Sequence, residues 1–191
     1  MNDIGHPVLL IVRGMPGSGK TYLAAELQKA IGPDGLVMLD PDTIDFAGPG
    51  YAAHTQEQSA KGVDPAKHPY WFLKNQAMEA VVAHKIILWN QPFTNLDMFR
   101  KLTSSLQAYA LEHGTELSVL VVEVAIDPVL AKERVLQRMR EGGHGPSEAT
   151  LDRRIADYKS FIDEGYDVIT VQGDTDVQSS VSTVMRALQK A

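Results

Sequence analysis

The stretch Gly14-Met15-Pro16-Gly17-Ser18-Gly19-Lys20-Thr21 constrains this chain more than any other, because it satisfies G-x-x-x-x-G-K-[ST] in full. It follows directly on Val8-Leu9-Leu10-Ile11-Val12, a continuous apolar run that reads as a buried strand, and it opens a helix predicted from about Gly19 to Ala30. Each residue type in it has a chemical reason. Glycines admit positive φ and close approach, so successive backbone N–H groups can wrap a phosphate. The helix N-terminus adds roughly half a positive charge at the same point. Lys20 can reach the β- and γ-phosphates, and the Thr21 hydroxyl suits Mg²⁺. A bare glycine-rich turn would match the whole pattern by chance in under about 1% of chains this size. The pattern therefore predicts a Walker A phosphate loop that binds a nucleoside triphosphate.

Beyond that loop, apolar runs and helical stretches alternate. Leu36–Leu39, Ile86–Trp89, Leu117–Ala125 and Val168–Val171 read as further strands. Helices are predicted over about Tyr70–His84, from an Asn95 or Thr94 cap to His113, from Pro128 to about Glu141, from a Ser147 cap to about Asp163, and over Asp176–Lys190. Strands separated by helices imply a parallel sheet covered on both faces, an α/β architecture. The length of 191 residues suits a single domain. Residues 41–69 show little periodicity and carry Gly48, Pro49, Gly50, Gly62 and Pro65. A loop that long inside a compact domain usually has a function, so this stretch is expected to be a substrate-binding insert, within which short helical pieces are possible.

Two carboxylates stand at the end of the second strand, in Leu39-Asp40-Pro41-Asp42-Thr43. Open parallel sheets bind ligands beyond the carboxyl ends of their strands, which brings both near the phosphate loop. Phosphoryl transfer to a hydroxyl needs a carboxylate to orient the acceptor and take its proton. Asp42 is the candidate base. Asp40, closer to the strand, is a candidate for the metal and its water, and Asp45 is a lesser candidate. Asp-Pro-Asp is also ordinary turn chemistry.

Arg134, Arg138 and Arg140 end the helix that begins at Pro128, with Arg134 and Arg138 on one face. Arg153 and Arg154 lie across the break Gly142-Gly143-His144-Gly145-Pro146. Two cationic helices joined by glycines make a lid, expected over residues 140–153, that would steady charge on the transferring phosphoryl group and exclude water. Arg138 and one of Arg153 and Arg154 are expected to touch phosphate. His144 is a candidate for capping or nucleotide contact. The bland reading is a set of basic residues where the helix dipole favours them.

Composition removes several other functions. With 18 Lys+Arg against 24 Asp+Glu, the net charge of −6 disfavours a sequence-independent nucleic-acid binder. The absence of cysteine removes disulfide scaffolds, cysteine nucleophiles and thiolate zinc sites, and it suits a reducing compartment. The five-residue run Val8–Val12 has no cationic region before it, so it is neither a signal peptide nor a span. A cytoplasmic protein without a membrane association is expected.

Gly14–Thr21, the Asp40-x-Asp42 pair and Arg134…Arg138…Gly142-Gly143-His144…Pro146…Arg153-Arg154 together resemble the zeta-toxin-like P-loop kinases, a group similar to polynucleotide kinases, chloramphenicol phosphotransferase and other small-molecule kinases. The resemblance implies a three-layer P-loop NTPase sandwich around a five-stranded parallel sheet of order 2-3-1-4-5. It also implies ATP or GTP with Mg²⁺, transfer of the γ-phosphoryl group to a hydroxyl, and Asp42 as the base. There are departures. Zeta toxins tend to carry an acidic-glycine-threonine stretch and then an arginine after the strand that here is Ile86–Trp89, whereas this chain reads Asn90-Gln91-Pro92-Phe93. Asn90 also stands where an aspartate often orients Mg²⁺, so that metal binding rests on Thr21 and Asp40, or on Asn90 through water.

For the acceptor, Tyr51, His54, His68, Tyr70, Trp71 and Phe72 could stack on a ring, and Trp89 and Phe93 flank Asn90 as candidate lining. Trp71 and Phe72 fit better as core anchors for their helix. Lys61, Lys67 and Lys74 could meet an anion but fit a solvated surface better. The functional expectation is a kinase for a small-molecule or nucleotide-type acceptor, with Asp40, Asp42, Asn90, Arg153 and Arg154 on the substrate side. A polynucleotide 5′-hydroxyl kinase and a nucleotide-dependent switch without an acceptor are the alternatives.

Overall fold

The computed structural model describes residues 5–143, 145–162 and 164–191. Five strands, β1 (Val8–Arg13), β2 (Leu36–Leu39), β3 (Ile86–Asn90), β4 (Ser118–Ala125) and β5 (Asp167–Gln172), form one parallel sheet of order β2-β3-β1-β4-β5. The connecting helices are α1 (Lys20–Ile31), α2 (Pro49–Ala60), α3 (His68–Val82), α4 (Leu96–Glu112), α5 (Pro128–Arg140), α6 (Glu148–Ala156) and α7 (Val177–Leu188). This is the P-loop NTPase arrangement implied by the resemblance.

β1 and β3 are buried throughout and β4 through most of its length, and all three are largely apolar, because helices lie on both faces. Side chains of β1 alternate between the two cores. Val8, Leu10 and Val12 pack with Leu23, Leu27, Val181 and Val184 from α1 and α7. Leu9 and Ile11 pack with Leu73, Val81, Phe99 and Leu106 from α3 and α4. Helix ends follow local chemistry. The side chains of Asn95, Asp127, Ser147 and Asp176 accept the first-turn N–H groups of α4, α5, α6 and α7.

Two sequence expectations need correction. Residues 41–69 are not a loop with short helical pieces, because α2 runs for three turns through their middle. Its start is well marked, with Gly48 as cap and Pro49 in the first turn. Its period is hidden because it buries the polar side chains His54 and Gln58 where an aliphatic stripe would be expected. His54 Nε2 is paired with the His68 carbonyl oxygen at 3.1 Å, and His68 Nε2 with the Val63 carbonyl oxygen at 3.0 Å. Second, α6 ends at Ala156 instead of continuing to about Asp163, which itself lies outside the described residues. The chain leaves the helix there because residues 158–161 are drawn onto the sheet by buried charges, described below.

Candidate active site

Parallel strands bring all their carboxyl ends to one edge, and the candidate residues collect there. β1 runs into the phosphate loop. Gly17 and Gly19 have φ of 84° and 93°, which a side chain would strain. A Cβ on Gly17 would also lie 2.2 Å from the Ala131 carbonyl oxygen. The loop is thus pressed against α5, and only glycine fits. The first turn of α1 has neither an acidic residue nor a side-chain cap, so its positive end is free to meet an anion. Ser18 is fully buried, with its hydroxyl unpartnered among the described residues.

Lys20 projects into this edge. Burial lowers its pKa from the usual lysine value. Asp42 and then Asp40 oppose that shift, while Arg138 and Arg154 add to it. Four residues from three separate segments therefore act on one ammonium group. Of the two neighbouring arginines, Arg154 bears on the Lys20 charge and Arg153 does not figure in that shift. Arg134 and Arg138 line a cavity of about 280 Å³ together with Gly17, Gly19, Lys20 and Thr21. The Arg134 guanidinium donates to the Gly173 carbonyl oxygen at 2.8 Å. It also borders an adjoining cavity of about 330 Å³ between the phosphate loop and the turn Gly173-Asp174-Thr175 after β5. His144 lies outside the described residues.

Asp40 is buried at the end of β2. Its Oδ1 accepts the Asp42 N–H at 2.9 Å and its Oδ2 accepts the Asn90 amide at 2.6 Å. The same Asn90 nitrogen lies 3.3 Å from Thr21 Oγ1. Asn90 thus ties the β3 end to both Thr21 and Asp40, while its own Oδ1 is buried without a partner among the described residues. A carboxylate, a hydroxyl and an orphaned amide oxygen form a set of hard oxygens beside the phosphate loop. They fit Mg²⁺, which typically takes one or two protein oxygens and completes its sphere with phosphate and water. Thr21 and Asp40 could hold the metal, with Asn90 beside them.

On the far side of Asp40, a cavity of about 320 Å³ is walled by Thr43, Asp45, Tyr51, Phe72 and Gln76. Asp42 is exposed and is not part of this wall, although Asp40 and Thr43 on either side of it in sequence are. Tyr51 and Phe72 meet edge to face, with centroids 5.2 Å apart. Phe72 therefore faces this cavity, while His54 and His68 are buried with backbone partners. Trp89 and Phe93 do not line it. They are core residues, packed in line with Phe99.

Sequence reasoning missed a buried ion pair next to the loop. Arg13, immediately before Gly14, is in register with Glu123 on β4 and bonds its carboxylate. Arg13 also donates to the carbonyl oxygens of Pro92 (3.1 Å) and Lys159 (2.8 Å). Its guanidinium lies 3.6 Å from the Phe161 ring centroid and 4.7 Å from that of Tyr158. Glu123 accepts from Ser160 Oγ and the Phe161 N–H. The segment behind α6, and with it the root of the helix that carries Arg154, is strapped to the strand that feeds the phosphate loop. The available signal was a charge inside each of two apolar runs, VLLIVR and LVVEVA.

Comparison with known proteins gives three findings. Residues 1–184 match the family model described as Zeta toxin. No curated protein matches the chain by sequence. Among solved structures, a candidate kinase of Chloroflexus aurantiacus is 18% identical, with 97% of each chain covered and a TM-score of 0.64. Kti12 of Chaetomium thermophilum, in complex with ADP-AlF3, is 15% identical over 95% of this chain and 99% of its own, with a TM-score of 0.61. A gluconokinase of Sinorhizobium meliloti is 14% identical over 97% of this chain and 92% of its own, with a TM-score of 0.55. At these identities the likeness is one of fold.

Proposed function

The chain belongs to the zeta toxin family, and from that premise we propose that it is a kinase that transfers the γ-phosphoryl group of ATP or GTP to the hydroxyl of a small-molecule or nucleotide-type acceptor. The observation that carries this reading is the assembly of one site: Lys20, Thr21 and Arg138 line a single cavity, Asp40 is tied through Asn90 to Thr21, and Asp42, Asp40, Arg138 and Arg154 all bear on the charge of Lys20. A protein that only binds nucleotide has no need of an exposed carboxylate bearing on the phosphate-loop lysine, where an acceptor hydroxyl would have to lose its proton.

In this reading the amides of Met15 to Thr21 and the α1 N-terminus grip the triphosphate, with Gly14, Pro16, Gly17 and Gly19 allowing close approach. The nucleoside would occupy the cavity beside Arg134 and Gly173. Lys20, Arg138 and Arg154 balance the charge of the transferring group, while α5 and α6 act as its lid. Lys132, paired with Glu148 (3.0 Å) and Asp152 (2.7 Å), couples the two lid helices. Mg²⁺, held by Thr21 and Asp40, would neutralise phosphate charge. The acceptor oxygen bonds to the γ-phosphorus as the bond to the bridging oxygen breaks. The hydroxyl proton passes to the Asp42 carboxylate, and the nucleoside diphosphate leaves with the electron pair.

Asp42→Asn tests this. Phosphoryl transfer should fall by about 10²–10⁴ with the dissociation constant of Mg·ATP or Mg·GTP unchanged. A nucleotide-dependent switch would be indifferent to the change, and unaltered turnover of labelled nucleotide would sink the kinase reading.

A further inference from the structure

If the chain is such a kinase, the charge around its acceptor cavity narrows what the acceptor can be. The cavity beyond Asp40, whose wall includes Asp40 and Thr43 from the turn that carries Asp42, also has Asp45 in its wall and no lysine, arginine or histidine. The cations on neighbouring elements are not part of its wall. Lys61 pairs with Glu57 on its own helix at 2.6 Å. Lys74 sits over the Trp71 ring, 4.8 Å from its centroid. Lys67 is exposed at the start of α3. The β3 end supplies no cation either. Asn90 binds Asp40 and Thr21, Gln91 accepts from Trp89 Nε1 at 3.0 Å, and Phe93 is buried.

One positive end does border the cavity, the first turn of α2 at Gly48-Pro49-Gly50. It already has an anion beside it. A Cβ on Gly48 would lie 2.5 Å from Asp45 Oδ2, so that carboxylate packs on the turn. Asp45 forms no ion pair among the described residues. The remaining wall is aromatic and neutral, from Tyr51, Phe72, Thr43 and Gln76. A phosphate or carboxylate on the acceptor would meet Asp45 with no cation in the cavity wall, and such an unpaired like charge selects against a ligand.

We propose that the acceptor is a non-anionic alcohol, uncharged or amine-bearing, whose ring or apolar face lies against Tyr51 and Phe72. Sugar phosphates, nucleotides and polynucleotide ends are disfavoured as acceptors. This rests on the kinase reading, and the test separates the two. A bacterial small-molecule extract is split by ion exchange into anionic and non-anionic fractions. Each is incubated with the full chain and γ-labelled Mg·ATP or Mg·GTP, with Asp42→Asn as the control. Label that depends on Asp42 is expected in products of the non-anionic fraction.

Gln76→Arg, which brings a cation to the cavity wall and leaves the Asp45 turn intact, should move the preference toward the anionic fraction by about tenfold. Asp45→Asn keeps the acceptor oxygen that its own turn uses and should shift the preference the same way if the arginine variant fails to fold. Preferential Asp42-dependent labelling of anionic acceptors by the unaltered protein overturns the inference and leaves the kinase reading standing. No Asp42-dependent label in either fraction, with nucleotide still bound through Lys20, overturns both.

Discussion

The phosphate side and the proposed acceptor side of this site share Asp40 but are built in opposite ways. On the phosphate side, eight consecutive residues hold most of the chemistry, and the backbone itself is the binding surface. On the acceptor side, the walls come from the β2 end, the first turn of α2 and the middle of α3, and side chains are the binding surface. A backbone cradle tolerates little variation, since a Cβ at Gly14 would fall 2.4 Å from Ser18 Oγ and one at Gly17 would meet α5. A side-chain pocket can change its charge with single substitutions. The expected contrast is a constant nucleotide grip beside a specificity that can drift within one fold.

The largest effect should come from the phosphate side. Lys20→Ala is expected to abolish uptake of Mg·ATP and Mg·GTP in a binding titration. It should leave melting unharmed, because removing a buried ammonium relieves its desolvation. Retained uptake would break the contrast at its root. Next comes the lid. Arg154→Ala should lower transfer by about 10³, while Arg153→Ala should stay within about threefold of the unaltered protein in the same assay. Equal losses would mean that the lid arginines do not act on Lys20 as the structure arranges them.

The strap behind the loop should separate stability from chemistry. Arg13→Met leaves Glu123 buried and unpaired and should cost about 3–5 kcal/mol in denaturant unfolding. The double change Arg13→Met with Glu123→Leu should recover to within about 1 kcal/mol of the original, since apolar pairs replace buried ion pairs well. No recovery would indicate that the contacts to Pro92 and Lys159 matter more than the charge pairing.

The fold was legible because its signals are local. Strand runs and cap residues such as Asn95 and Ser147 mark the element starts, and the order 2-3-1-4-5 followed from the resemblance. What stayed hidden involved polar groups buried through distant partners. α2 was invisible because it turns His54 and Gln58 inward, and the early end of α6 because the rings of Tyr158 and Phe161 close on Arg13 from across the sheet. Trp89 and Phe93 show the same limit from the other direction. Flanking Asn90 in sequence, they looked like pocket residues, yet the strand alternation and the packing with Phe99 turn them into the core.

By itself the amino-acid order determined where a polyphosphate can be gripped, because glycine conformations, a helix end and a lysine at set spacing act through the backbone they belong to. Only the tertiary structure decided which arginine bears on the charge of Lys20, what Asn90 binds and which charges line the proposed acceptor cavity. Those are Coulombic and packing relations between segments far apart along the chain, and they exist only once the strand ends have been brought to one edge.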